Sequence, residues 1–145
     1  MDLSTILKIK ITGKTEEVKR AALASQRRIA LDTRGFEESA YFFGDGSDFK
    51  VKMDKAIFLG NYEFNEHGDG NAEYSTEQES YGCTEKDDIK DIANDIIKVS
   101  SNVEFHIDAL ITITYEEGYD LCVDVEYGGG RLTVNSSEKY YDDEE

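Results

Sequence analysis

Between residues 85 and 127 the spacing of apolar side chains changes period once, and that change restricts the chain to folds that hold a helix against a sheet. Ile89, Ile92, Ala93, Ile96 and Ile97 recur at i, i+3, i+4, i+7 and i+8, the stripe of an amphipathic helix. Thr84 stands in an N-cap position with Asp87 three residues on, close to a capping box, so a helix is predicted over residues 85–98. Asp88, Asp91 and Asp95 then share its outer face. Beyond it the period falls to two. The segments "VEFHIDALITITY" and "YDLCVDVEY", joined through Glu116-Glu117-Gly118, alternate as strands do. A last short strand, "RLTVN", follows Gly128-Gly129-Gly130.

The N-terminal part repeats the pairing of a strand with a helix. In "ILKIKIT", Leu7, Ile9 and Ile11 alternate with Lys8, Lys10 and Thr12, the pattern of a half-buried strand. Gly13 ends it. Thr15 is placed to cap a helix whose first turn holds Glu16 and Glu17, where the helix dipole favours acids. Val18, Ala21, Ala22, Ser25 and Ile29 form its narrow, small-residue face, which suits close packing on a sheet. Arg20, Arg27, Arg28 and Arg34 lie on or just after it. The middle reads as irregular and β-rich. "EESAYFFGDG", "DFKVKMD" and "AIFLGNYEFN" are read as strands, and "EHGDGNAEYSTEQESYG" as a long turn or loop with room for short strand character. The order predicts an α+β fold: a mainly antiparallel sheet with two helices on one face, a ferredoxin-like core with extra strands. Residues 1–137 form one domain in this reading, with 138–145 an acidic, flexible tail.

Charge narrows the function. The chain of 145 residues has a formal net charge of −16, unevenly spread. Residues 1–35 hold eight Lys or Arg and four Asp or Glu, so the rest hold eight of 16 and 28 of 32, a net of −20. Phosphate binding by that acidic bulk is disfavoured. The basic N-terminal group suits an acidic partner or RNA, but neutralising the protein's own acids is the simpler reading. No run of 18 apolar residues and no secretory leader is seen, and Cys83 and Cys122 fit no metal spacing. A reduced, cytoplasmic chain is expected, with one disulfide left open.

No sequence motif supplies catalysis. His67 and His106 are the two histidines, and no Ser or Cys carries a nucleophile signature. A Cys122–His106 dyad on adjacent strands is conceivable, but His106 shares the parity of Asp108 and Leu110 and reads first as a satisfied strand histidine. Asp45 with Asp48, and Asp69 with Asn71 and Glu73, offer oxygen donors near glycines, yet neither stretch completes a calcium loop, and turn chemistry explains both. "GGGR" lacks the helix a phosphate cradle needs. No cofactor, no metal centre and no enzymatic activity are therefore expected.

The acids themselves are the distinctive feature. Asp120, Asp124 and Glu126 fall on one strand parity, with Glu116 and Glu117 at the turn before them. Alternate strand residues stand about 6.6–6.8 Å apart on one face, so neighbouring like charges cost tenths of a kcal/mol each. A basic partner offsets that cost. The commonest basic protein surfaces bind nucleic acid. The proposed partner-binding set is Glu116, Glu117, Asp120, Asp124 and Glu126, with Asp88, Asp91 and Asp95 as a second line on the helix.

One stretch resembles a known family. "NVEFHIDALITITYEEGYDLCVDVEYGGGRL", residues 102–132, follows an amphipathic helix and is similar to the C-terminal half of YubB-like ferredoxin-like proteins of plasmids and phages. The shared pattern is a strand, an acidic-Gly turn, and a second strand ending at a glycine turn. The Trp-containing segment of that family has no counterpart here, since the chain has no Trp. The resemblance implies a mobile-element origin and no established enzymatic activity. In size and acidity the chain also resembles small anti-CRISPR proteins. The leading expectation is an acidic inhibitor that occupies the nucleic-acid groove of a host defence nuclease. The alternatives are an immunity protein that neutralises a toxin nuclease and, third, a small-substrate enzyme.

Overall fold

A computed structural model describes residues 3–34, 46–57, 60–113 and 118–140, with the backbone alone for Thr33 and Arg34. Strand β1, Leu3–Lys14, lies in the middle of the sheet, and its alternation is the one read from the sequence: Leu7, Ile9 and Ile11 are buried while Lys8 and Lys10 are exposed. Helix α1, Thr15–Arg34, follows at once. Thr15 donates both its N–H and its hydroxyl to the Gly70 carbonyl, each at 3.0 Å, which ties the helix start to a distant turn. Val18, Ala21, Ala22, Ser25 and Ile29 are all buried, as are Leu23 and Gln26. The buried face is wider than the sequence suggested because α1 packs against two other helices as well as against β1 and β3.

The middle of the chain departs most from expectation. Residues 49–56 form helix α2, Phe49–Ala56, and not a strand. Phe49, Met53 and Ala56 are buried at helical spacing, while Val51 is 53% exposed. Over so few residues, Phe49-Val51-Met53 fits period two as well as Phe49-Met53 fits period 3.6. Strand β2, Gly60–Glu66, then pairs antiparallel with β3, Asn71–Ser80. The segment read as a long turn or loop with room for short strand character thus holds the turn of a hairpin and its second arm, a ten-residue interior strand. Asp69 accepts the Asn71 N–H at 3.1 Å in the turn, beside Gly70 at φ 88°. The length of β3 was hidden because its buried side is Ala72, Tyr74, Thr76, Gln78 and Ser80. Those polar groups are satisfied in part: Gln26 Nε2 donates to Gln78 Oε1 at 2.6 Å and to Tyr74 Oη at 3.2 Å, and Thr76 donates to the Asn61 carbonyl at 2.6 Å, while Gln26 Oε1 and Gln78 Nε2 are buried with no partner among the described residues. The strand read in "EESAYFFGDG" falls largely outside the described residues.

Helix α3 spans Lys86–Val99. Its cap lies one residue later than expected: Glu85 and Asp88, rather than Thr84 and Asp87, form the capping box. Ile89, Ile92, Ala93 and Ile96 are fully buried, roughly 1.5–3 kcal/mol of transfer free energy for each isoleucine. Strands β4, Glu104–Ile113, and β5, Tyr119–Gly128, pair antiparallel. β6, Arg131–Tyr140, returns through Gly129 at φ 58° and Gly130 at φ 79°, the positive angles a two-residue hairpin turn demands. β6 is twice the expected length and takes in Glu138–Tyr140, which the sequence assigned to a tail.

The sheet order is β2-β3-β1-β4-β5-β6, with every neighbouring pair antiparallel. This is an α+β fold with three described helices where two were expected. They cover the face that carries Leu7, Ile9, Ile11, Tyr74, Ile107, Val123 and Val125. Among the described residues no element covers the other face. No described helix is long and apolar enough to cross a membrane.

Candidate functional site: the open face of the sheet

The opposite parity of each strand builds the open face. Carboxylates outnumber cations there: Glu63, Glu73, Glu77, Glu79, Glu104, Asp108, Asp120, Asp124 and Glu126 stand against Lys8, Lys10, Lys14, Arg131 and Lys139. Asp120, Asp124 and Glu126 share one line down β5, as their spacing predicted, with Cys122 exposed among them. Across the ladder, Asp120 faces Thr112 and Lys139, Asp124 faces Asp108 and Asn135, and Glu126 faces His106 and Thr133. The direct pairing of Asp108 with Asp124 sets two carboxylates side by side. A shallow, open depression of about 690 Å³ lies over β1 and β3, bordered by Lys8, Lys10, Glu63, Glu77, His106 and Asp108. The lysines of β1 therefore run between two acidic flanks. Glu116 and Glu117 lie outside the described residues.

The helix acids are placed differently. α3 packs on the covered side of the sheet, so Asp88, Asp91 and Asp95 do not join the β5 line in one surface. Asp95 turns toward α1, where Arg28 Nε donates to its Oδ2 at 2.8 Å and Arg27 approaches to 3.8 Å. That bond to Asp95 is the main reason the Arg28 guanidinium is held above its ordinary range. Asp88 Oδ2 accepts the N–H groups of Thr84 and Glu85 at 3.1 and 3.0 Å. Nearby, burial pushes the Asp32 carboxyl up to about 6, the Asp88 charge adds to this, and Arg28 opposes it. The buried Cys83 thiol, 3.7 Å from Asp32, is pushed up to about 12 by burial, the reverse of what activates a nucleophile. Both cysteines are free thiols.

The β4–β5 register separates the conceivable dyad. Cys122 pairs with Leu110, two steps along the ladder from the His106–Glu126 pair, so about 13 Å intervenes. His106 instead meets carboxylates. Its Nε2 lies 2.5 Å from Asp124 Oδ1, and donor atoms of His106, Asp124 and Glu126 all fall within 4.8 Å of one another. Sequence reading did not find this cluster. The parity of each strand was correct and the two were read as adjacent, but nothing in the sequence fixed the register of β4 against β5. Of the two oxygen-rich stretches, the second is used locally: Asp69 closes its turn, and Glu73 pairs with Lys10 at 3.1 Å, while Asp45 of the first lies outside the described residues. No family model matches the chain, and no curated protein or solved structure matches it.

Proposed function

We propose that the protein is an acidic inhibitor of phage or mobile-element type, anti-CRISPR-like in action, that lays the open face of its sheet on the basic surface of a nucleic-acid-binding enzyme in the cytoplasm and excludes DNA or RNA. The observation that carries this reading is the uncovered face with its β5 line, Asp120, Asp124 and Glu126, beside the like-charged pair Asp108 and Asp124. A basic partner relieves that repulsion and gains long-range attraction. The wide, shallow form of the depression suits a protein surface better than a small substrate. The protein needs no catalytic activity of its own in this role. A ferredoxin-like core is supported by the order β2-β3-β1-β4, with α1 in the β1–β2 connection and α3 in the β3–β4 connection. In that reading β5 and β6 extend the sheet and carry the docking line. The resemblance of residues 102–132 to YubB-like proteins falls on β4 and β5.

Competition tests it. The protein is added to nucleic-acid-guided nucleases and toxin nucleases, and retention of labelled DNA or RNA is measured. Wild-type protein displaces the nucleic acid, and Asp120→Asn/Asp124→Asn/Glu126→Gln, which removes three charges at near-constant shape, displaces it less well. Displacement weakens between 0.1 M and 1 M salt, as the screening length falls from about 10 Å to about 3 Å. Nucleic acid that stays bound at saturating protein, or a triple variant as effective as wild type, overturns the reading.

A further inference from the structure

The geometry points to a divalent transition-metal site on the open face, formed by His106 of β4 with Asp124 and Glu126 of β5. It does not rest on the docking proposal, although Asp124 and Glu126 belong to both. Glu126 stands directly opposite His106 in the β4–β5 register, and Asp124 is the diagonal neighbour on the same face. Two hydrogen-bonded strands therefore hold all three donors, and no loop has to close around the ion. Their ligand atoms lie within 4.8 Å of one another. Bonds of about 2.0–2.2 Å to nitrogen and oxygen put neighbouring ligand atoms about 3.0–3.4 Å apart, which small side-chain rotations of these half-exposed residues can reach.

The chemistry selects the class of ion. One imidazole with two carboxylates is a mixed nitrogen and oxygen set, suited to zinc and its first-row neighbours rather than to calcium or magnesium, which prefer oxygen alone. Charge favours a cation as well. Asp108 faces Asp124 across the ladder and adds a third carboxylate beside the cluster. Lys10, the β1 residue opposite His106, is drawn to the other side by its 3.1 Å contact with Glu73. In the metal-free site the His106 Nε2 edge meets Asp124. A bound ion takes that edge, leaving the ring proton on Nδ1. The remaining coordination positions face solvent and would hold water.

The full chain is titrated with Zn²⁺ by calorimetry and by NMR of the two histidine rings, with His67 on the β2–β3 turn as internal reference. His106 signals shift and saturate at one equivalent while those of His67 stay in place. His106→Gln, Asp124→Asn and Glu126→Gln each lower affinity by at least about tenfold, since even outer-shell partners are worth ten- to a hundredfold. All three positions are half-exposed or exposed, so circular dichroism is expected to show each variant folded. The inference fails if His106 does not respond to excess Zn²⁺. It also fails if the carboxylate variants bind as tightly as wild type, which would mark a lone surface histidine. Because His106→Gln leaves every β5 carboxylate in place, it separates the metal site from the docking line: loss of Zn²⁺ binding with displacement of nucleic acid retained supports the site and leaves the docking reading intact.

Discussion

The two sets of carboxylates singled out by spacing have opposite fates. On α3, Asp88 caps its own helix and Asp95 fastens α3 to α1 through Arg28. On β5, Asp124 faces another carboxylate and Glu126 faces a histidine, on a side of the sheet that no described element covers. The same residue type is thus an internal fastener in the covered layer and surplus charge on the open face. A helix presents its flanks to neighbouring helices, which can supply arginines, whereas a strand's outer parity meets only what adjacent strands bring beside it. Surplus charge on a rigid face is where an external partner or ion has most to gain.

The largest effect that tests this contrast lies in the apolar layer on which the fasteners depend. Ile92 and Ile96 are fully buried between α3 and the sheet. Replacing either by Ala is expected to cost about 2–5 kcal/mol, read from urea unfolding. A loss below about 0.5 kcal/mol, the range of ordinary surface substitutions, would mean that the covered layer is not the stable half of the molecule.

Comparing the acids directly is sharper. Asp95→Asn takes from Arg28, whose side chain is 23% exposed, its charged partner at 2.8 Å and leaves it Asp32 at 3.9 Å, and is expected to cost about 1–3 kcal/mol, in the range of hydrogen bonds to charged groups. Asp124→Asn, on the open face, is expected to stay within about 0.5 kcal/mol. If the strand substitution proves the more costly of the two, the distinction between fastener and surplus charge collapses.

How much of this was legible follows from which signals are local. The α3 stripe and the alternations of β1, β4 and β5 depend only on chain periodicity and were read correctly. The α3 cap was missed by one residue because Thr84 and Glu85 are both followed three residues later by an aspartate. The full length of β3 escaped notice because tertiary partners, Gln26 above all, let polar side chains occupy its buried side. α2 was mistaken for a strand because three apolar residues in five satisfy either period. The His106 cluster needed the β4–β5 register. That Asp95 points to α1 needed the helix packing. Neither is written in any single segment.

Asp32 offers a smaller, pH-dependent test of the covered layer. Its carboxyl is raised from an ordinary 3.8 to about 6, chiefly by burial and then by Asp88, with Arg28 opposing. The folded chain therefore holds this proton more tightly than the unfolded chain does. Stability linked to Asp32 is fully present below about 3.8 and is lost as pH rises through about 6. The free-energy difference between wild type and Asp32→Asn, from urea unfolding, is expected to shift in favour of wild type on going from pH 7 to pH 4.5. A difference constant with pH would place Asp32 in ordinary solvent.

The smallest expected effect bears on the open face itself. Asp108 and Asp124 are directly opposed, but each has other neighbours: Lys8 faces Asp108, and His106 meets Asp124. Single substitutions therefore mix repulsion lost with attraction lost, and a double-mutant cycle isolates the pair. With Asp108→Asn and Asp124→Asn, the double variant is expected to be less stable than additivity predicts by about 0.2–1 kcal/mol, because the repulsion is removed only once. That coupling should shrink from 0.1 M to 1 M salt, as the screening length falls from about 10 Å to about 3 Å. In protein freed of metal by a chelator, a coupling of opposite sign would show that the two carboxylates support one another through a shared proton, and the β5 line would then not be the surplus charge on which docking to a basic partner relies.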